Sequence, residues 1–439
     1  MIVRNVKLVL VANALILICC VVTGLLSARA LGPAGRGDLL VVMLWPPVCA
    51  YLVSLGLSQA HRYWVAKDPA CVSMLFSNAI IFALIVGLAT LALAELIIPH
   101  VVGHRSPETM RLVRIYLVNI PAALIQLLMI GLLEGARRFG WAGASRLIFF
   151  VIQAVGYTAL WAYSLLTVRS ASLIVILAQF SAMAFSLFAV LRELRPEWKP
   201  SWSKWRAALS YGLRDYPGAL ADFTTLRLDQ LLLGGIASSA AIGLYFVAVR
   251  LSEITAVLAS SVADALMPEV AASKHTDKAD RLLGKSFRLT LYTHLLVLVP
   301  LWLAAPLILR YVYGQSFLAA SGTLRILLLA SVVLTMGEIA ISGLNGFGHP
   351  GLSTIARLAA AVVTVVSLLL LLPRLGIIGA ALASLMGYSA TLIVALFWLL
   401  RRRELGFWGT LRPRFEDIPA AQMKWLFSLQ FLRTRDLET

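Results

Sequence analysis

The chain has 439 residues, of which 60% are hydrophobic, and a formal net charge of +17. Its mean hydropathy is +0.87, and it is far more apolar than a soluble domain, which is about 45–50% apolar. Water-borne chemistry is thereby excluded, leaving movement through a membrane or reaction within one.

A bilayer core roughly 30 Å thick takes about 20 apolar residues per helix. The apolar runs predict an all-α polytopic membrane protein of about twelve transmembrane helices. In chain order they cover 8–28, 38–60, 73–97, 112–133, 146–165, 171–191, 209–234, 241–267, 288–311, 322–345, 352–373 and 376–400. The first run has Arg4 and Lys7 before it and Ala28-x-Ala30 at its end, the outline of a secretion signal. At about 19 residues it exceeds a cleavable segment of roughly 7–15, so it reads as a retained helix.

The positive charge follows topology. With the N-terminus inside, the inner segments (the start, 61–72, 134–146, 192–208, 268–288 and the tail) carry about 25 Lys/Arg against roughly 9 outside. Both termini are then cytoplasmic, and the basic linker and tail lie against anionic lipid rather than nucleic acid. Cys19, Cys20, Cys49 and Cys71 lie in or beside apolar runs with no metal-site spacing, and read as small packing residues.

The stretch around 192–208, with Pro196, Pro200 and three tryptophans (Trp198, Trp202, Trp205) among cations, suits a membrane interface and divides the chain. The expected parts are an N-terminal six-helix lobe (1–191), a basic linker (192–208), a C-terminal six-helix lobe (209–400) and a basic tail (401–439), whose segment 422–432 reads as an interfacial helix. A weak repeat supports two pseudo-symmetric lobes around a central cavity. Ile130, Leu133, Gly135, Gly140, Arg146 and Leu147 fall on Ile341, Leu344, Gly346, Gly351, Arg357 and Leu358 at a single offset, as expected for parallel repeats.

Ionisable residues at membrane depth mark function by default. The first six spans mostly carry amides, such as Asn13, Asn119, Gln126 and Gln153. The seventh carries Arg214, Asp215, Asp222, Arg227 and Asp229, the eighth Arg250, Glu253 and Asp264, and the tenth Glu338. Asp215, Asp222 and Asp229 step by seven and share a face. Arg250 and Glu253 are helical neighbours. The short turn 234–240 makes spans seven and eight an antiparallel hairpin, with Asp222 and Glu253 at similar depth and Pro217 loosening the first helix. Such a hairpin lines a wet cavity or pairs internally. Guanidinium forks match phosphate oxygens, and a carboxylate in low dielectric can carry a proton or accept Na⁺.

The segments Leu31-Gly32-Pro33-Ala34-Gly35-Arg36-Gly37, Leu226-Arg227-Leu228-Asp229 and Tyr245-Phe246-Val247-Ala248-Val249-Arg250, in that order, resemble the oligosaccharide flippase (Wzx-type polysaccharide transporter) family of the multidrug/oligosaccharidyl-lipid/polysaccharide exporter superfamily. The resemblance runs over essentially the whole chain. It implies two six-helix lobes around a cationic cavity in a bacterial inner membrane. The implied cargo is undecaprenyl-diphosphate-linked oligosaccharide, moved from the cytoplasmic to the periplasmic leaflet for surface polysaccharide synthesis. It also implies partners among the other membrane proteins of polysaccharide assembly. On this reading Arg227 and Arg250 contact the diphosphate first, with Arg214, Arg29 and Arg36 as further candidates; Asp222, Glu253, Asp215 and Asp229 are candidates for coupling to H⁺ or Na⁺. No catalytic residue, metal site or cofactor is expected. A multidrug or small-molecule exporter of the same fold is the alternative. An enzyme is disfavoured, since the longest outer loop, 98–111, offers only His100, His104, Arg105 and Glu108, which read as solvated surface.

Overall fold

The computed structural model describes residues 2–103, 105–253 and 276–403. Among them the chain is helical throughout, with α1 (Ile2–Val53), α2 (Leu57–Lys67), α3 (Val72–Val101), α4 (Pro107–Leu117), α5 (Asn119–Gly135), α6 (Phe139–Ala162), α7 (Val168–Glu193), α8 (Trp202–Ile236), α9 (239–253), α10 (Thr276–Ile308), α11 (Ser321–Gly346) and α12 (Pro350–Arg403). Two helices are double length and each is broken once. Gly32 (φ 64°) splits α1 ahead of Pro33, and Gly376 (φ 56°) splits α12. A left-handed backbone angle is open to glycine without a β-carbon penalty, so these residues turn the chain back across the membrane.

With those breaks, a helix covers the described part of each expected span. By length and apolarity seven helices of the described residues qualify as spans, or eight counting α4 with α5; both double-length helices are among them. The hairpin α8–α9 lies outside that set: α8 carries Asp222, Arg227 and Asp229 close together, and only 239–253 of α9 is among the described residues. Leu296 (71% exposed), Leu96 (68%) and Ile393 (65%) stand outward. A surface of that kind belongs in hydrocarbon.

Two expectations need correcting. The fourth span is not one rod: α4 and α5 meet at a 40° bend. Pro121 has no N–H to offer the Leu117 carbonyl, and Asn119 Nδ2 donates instead to the Tyr116 carbonyl at 2.9 Å. Segment 61–72 is not a plain loop, because α2 occupies most of it. Pro217 lies inside α8, which is helical on both sides of it. Asp264, His104 and the tail segment 422–432 lie outside the described residues.

The repeat shows in the turns. α5 and α11 both end in a glycine, Gly135 and Gly346, and the following residues bond alike. Arg137 N donates to the Glu134 carbonyl at 3.0 Å, as Gly348 N does to Asn345; Arg138 N donates to Leu133 at 2.8 Å, as His349 N does to Leu344 at 2.9 Å. Arg137 (φ 59°) takes the left-handed position that Gly348 (φ 80°) fills in the second copy.

Packing is uneven from end to end. The largest buried cluster gathers at the end carrying the Gly32 break, the α8–α9 turn and the Gly376 break; every helix except α2 contributes to it. At the other end the core divides. One cluster holds residues from Ala50 to Tyr211, and another residues from Leu282 to Leu399. The bundle is joined at one end and parted at the other. The stretch 194–201 is held along α3: Glu197 N donates to Ser73 Oγ (3.0 Å), Lys199 N to Ser77 Oγ (2.8 Å), and Asn78 exchanges bonds with both backbone groups of Ser201 (2.9 and 3.2 Å).

Candidate functional site

Beneath the joined end lie two adjoining chambers of about 460 and 330 Å³. Cys20, Gly24, Arg36 and Arg250 line both. Arg227 on α8 enters the larger chamber and Glu253 on α9 the smaller. Arg36 reaches the chambers because the Gly32 break sends the second half of α1 back alongside the first. Its guanidinium donates to the Gly24 carbonyl and to Ser27 Oγ (3.2 Å), and it is 4% exposed. Its Nε atom is buried without a hydrogen-bond partner.

Arg227 and Arg250 share a single anion. Arg227 Nη1 lies 3.2 Å from Glu253 Oε1, and Arg250 Nη1 lies 2.8 Å from Oε2. Arg227 also donates to Gln230 Oε1 at 3.3 Å. Their side chains are 37% and 50% exposed, so both guanidiniums stand in open space while resting on the carboxylate. With Arg36 the described residues of the site carry three cations against one carboxylate.

The other acids are engaged elsewhere. Asp222 pairs with Arg357 of α12. Asp229, 4% exposed, accepts from the Tyr245 hydroxyl, from Gln230 N at 2.7 Å and from Ser384 Oγ at 3.3 Å. No described cation lies within ion-pair distance of it. The heptad step holds in that Asp222 and Asp229 both meet α12, but their partners differ in kind. The side chain of Asp215 lies outside what the structure describes.

Arg214 is exposed on the early part of α8 and lines neither chamber. Arg29 also stays out of them, donating to the carbonyls of Val312 (2.8 Å) and Tyr311 (2.9 Å) and so closing the end of the α10 segment.

Two residues escaped the sequence reading. Arg357 was visible there only as a repeat match to Arg146, and both turn out to hold an acid: Arg146 pairs with Glu134, which also meets Arg62 at 2.6 Å. Arg105, read as solvated loop, is bound into the joined end. It donates to Ser239 Oγ (2.6 Å) and to the carbonyls of Ala237 (2.5 Å) and Gly234 (3.2 Å), and Ser239 donates to Asp38. Here α1 and α9 cross in contact. A β-carbon on Gly37 would overlap the Ser239 carbonyl, and one on Gly243 the Pro33 carbonyl. Gly37, a glycine of the family-like turn, thus meets the start of α9 in space.

The model of a family described as polysaccharide biosynthesis protein matches residues 26–322, more than half of the chain. The chain belongs to that family. The probable low-salt glycan biosynthesis flippase Agl15 of Haloferax volcanii is 23% identical over 266 residues, 60% of this chain and 53% of the relative. The uncharacterized membrane protein MJ1068 of Methanocaldococcus jannaschii is 31% identical over 100 residues, 23% of this chain and 20% of the relative. The chain therefore matches about half the length of the first and a fifth of the second. In fold it is similar to the lipid II flippase MurJ in an inward closed conformation (TM-score 0.77, 16% identity, 90% of this chain and 87% of that one). An inward-facing multidrug resistance MATE transporter follows (0.69, 18%, 87% and 94%), with a MOP-superfamily transporter from Pyrococcus furiosus (0.64, 16%, 92% and 95%). The family member described here is a multi-pass membrane protein, and its fold is similar to that of those solved structures.

Proposed function

We propose that this membrane protein is a flippase that carries undecaprenyl-diphosphate-linked oligosaccharide from the cytoplasmic to the periplasmic leaflet of a bacterial inner membrane. The observation that carries the reading is one carboxylate, Glu253, held between two half-exposed arginines at a cavity that a third arginine also lines. A diphosphate offers more oxygen acceptors and more charge than Glu253, and guanidinium forks suit it. The cargo displaces the carboxylate on binding; the carboxylate reclaims the arginines and helps expel the cargo after the turn. Such exchange avoids leaving bare cations in a low-dielectric site, the costly alternative.

Alternating access follows from the end-to-end asymmetry. The parted end, which also carries the start of α1 and the end of α12, is assigned to the cytoplasm on the cation bias of its loops. Residues 1–191 and 209–400 are the two halves that rock, with 192–208 as linker. Of the candidate acids, Asp229 suits proton coupling best, since it sits among hydroxyls rather than against a cation. A multidrug exporter is the second reading. The aromatic lining from Phe149, Phe150 and Phe223 favours it, while the three arginines weigh against it.

Arg250→Ala should reach the membrane yet lower export of lipid-linked glycan about 10–100-fold, the value of one charged hydrogen bond of about 1.5–3 kcal/mol. Measurement is by surface polysaccharide in a deletion strain carrying the variant. Unchanged export removes Arg250 from the site; raised drug susceptibility of the deletion with normal polysaccharide favours the second reading.

A further inference from the structure

Part of the lining of the larger chamber has a different chemistry. Gln153 and Tyr157 lie one turn apart on α6, and Gln179 faces them from α7. All three are at least nine-tenths buried. Their mutual bonds leave capacity unused. Gln179 Nε2 donates to Gln126 Oε1 at 2.8 Å, and Gln126 Nε2 donates to the Ser145 carbonyl at 3.0 Å. This relay orients Gln179 and leaves its own carbonyl oxygen unbonded by any described residue. Gln153 Nε2 donates to the Tyr157 hydroxyl at 3.3 Å, which leaves the Gln153 carbonyl and the Tyr157 proton unspent.

Amides used only to join helices would spend their donors and acceptors on each other. Here acceptors and a donor remain, at positions lining a cavity. They are open to the chamber, where an entering ligand can bond them. Phe149 and Phe150 stand beside them, edge to face at 5.1 Å. No charged side chain from α4, α6 or α7 lines this chamber. Interleaved donors, acceptors and aromatic faces without charge match one chemical class, a polyhydroxylated ring.

We propose that this wall is a sugar subsite, taking the first residue of the cargo as an uncharged hexose with hydroxyl or acetamido substituents. Gln153, Gln179 and Tyr157 bond its polar groups, and Phe149 and Phe150 take its C–H face. The proposal rests on the lipid-diphosphate reading above. An acidic sugar finds no cation among these α6 and α7 side chains, and Arg36, which interacts electrostatically with Tyr157, is already committed to the Gly24 carbonyl and Ser27, so the sugar's hydration is lost with little compensation.

The test is calorimetric binding to the purified full-length protein in lipid nanodiscs. The probes are a short polyprenyl diphosphate, the same lipid bearing N-acetylglucosamine, and the same lipid bearing glucuronic acid. The N-acetylglucosamine probe should bind about tenfold more tightly than the bare diphosphate, as one or two net hydrogen bonds allow, and the glucuronic acid probe should gain less. Tyr157→Phe, and separately Gln153→Leu with Gln179→Leu, should shrink the N-acetylglucosamine gain to twofold or less, a reduction of about fivefold on the same hydrogen-bond scale. Arg250→Ala should weaken all three probes together. If the double variant does not fold, Tyr157→Phe, which removes a single oxygen, decides. Binding of the bare diphosphate with no gain from N-acetylglucosamine, an equal gain from glucuronic acid, or a gain that survives Tyr157→Phe, overturns the subsite alone. Failure of the wild type to bind the bare diphosphate overturns the diphosphate reading beneath it.

Discussion

Glu253 is the residue on which the resting state turns. It neutralises Arg227 and Arg250 in part and competes with whatever anion enters. Glu253→Gln keeps the shape and removes the charge. It should raise affinity for inorganic pyrophosphate by about tenfold, one charged contact no longer opposing it. Export should slow, because release loses its competitor. Calorimetry and glycan export check the two halves of that expectation. A different residue-scale effect sits at Arg137, which holds a left-handed angle where the second copy of the turn has glycine. Arg137→Gly relieves a strain of about 1 kcal/mol, offset in part by the looser unfolded chain. The melting temperature in detergent should rise by about one degree or less. Arg227 and Arg250 were legible as candidates because a guanidinium at mid-membrane depth is rare. Arg357 was not, since an arginine near an expected helix start looks like topology until Asp222 is seen across from it.

Among elements, α8 ties the two halves together. Its early turns belong to the first half: Lys204 meets Asp68 at 3.2 Å, Tyr211 stacks on Tyr63 at 4.3 Å, and Tyr216 donates to the Leu52 carbonyl at 2.5 Å. Its later turns carry Asp222 and Asp229 to α12. The stretch 194–201 adds to the first set of contacts through the α3 side chains Ser73, Ser77 and Asn78. Asn78→Ala leaves both backbone groups of Ser201 without their side-chain partner. The loss should be about 1–3 kcal/mol, read as a lower melting temperature with export intact in cells. Periodicity and charge located α8 and the hairpin turn. They could not show the 40° bend between α4 and α5, because the apolar run is unbroken there and Pro121 is tolerated inside membrane helices.

For the whole molecule, the alternating access proposed above makes the joined end the closed gate. Arg105, Ser239 and Asp38 link the loop after α3 to both α1 and the α8–α9 turn. Arg105→Ala removes three donated bonds and should loosen that end. Cys20 lines both chambers and reports access. With Cys19, Cys49 and Cys71 changed to serine, a membrane-impermeant maleimide should label Cys20 in wild type from the parted side only. In Arg105→Ala it should label from both sides, at a rate at least about tenfold higher on the joined side, as expected if the closed gate loses more than about 1.4 kcal/mol. Labelling from the parted side alone in the variant would show that the gate is held by packing and not by this network.

What the sequence determined by itself was the membrane setting, the helices and their order, the charged hairpin and the repeat. Each of these is encoded locally, in the length of an apolar run, in the spacing of charges along a helix, or in a turn motif copied at a fixed offset. Only the tertiary structure decided which charges share a space. Arg36 is far in sequence from Arg227 and Arg250, yet a single left-handed glycine folds α1 back and places it on the same cavity. Likewise Asp222 and Asp229, alike in sequence, part company because one faces an arginine and the other two hydroxyls. Contacts between distant segments depend on helix crossing and close approach, and no local pattern carries that information.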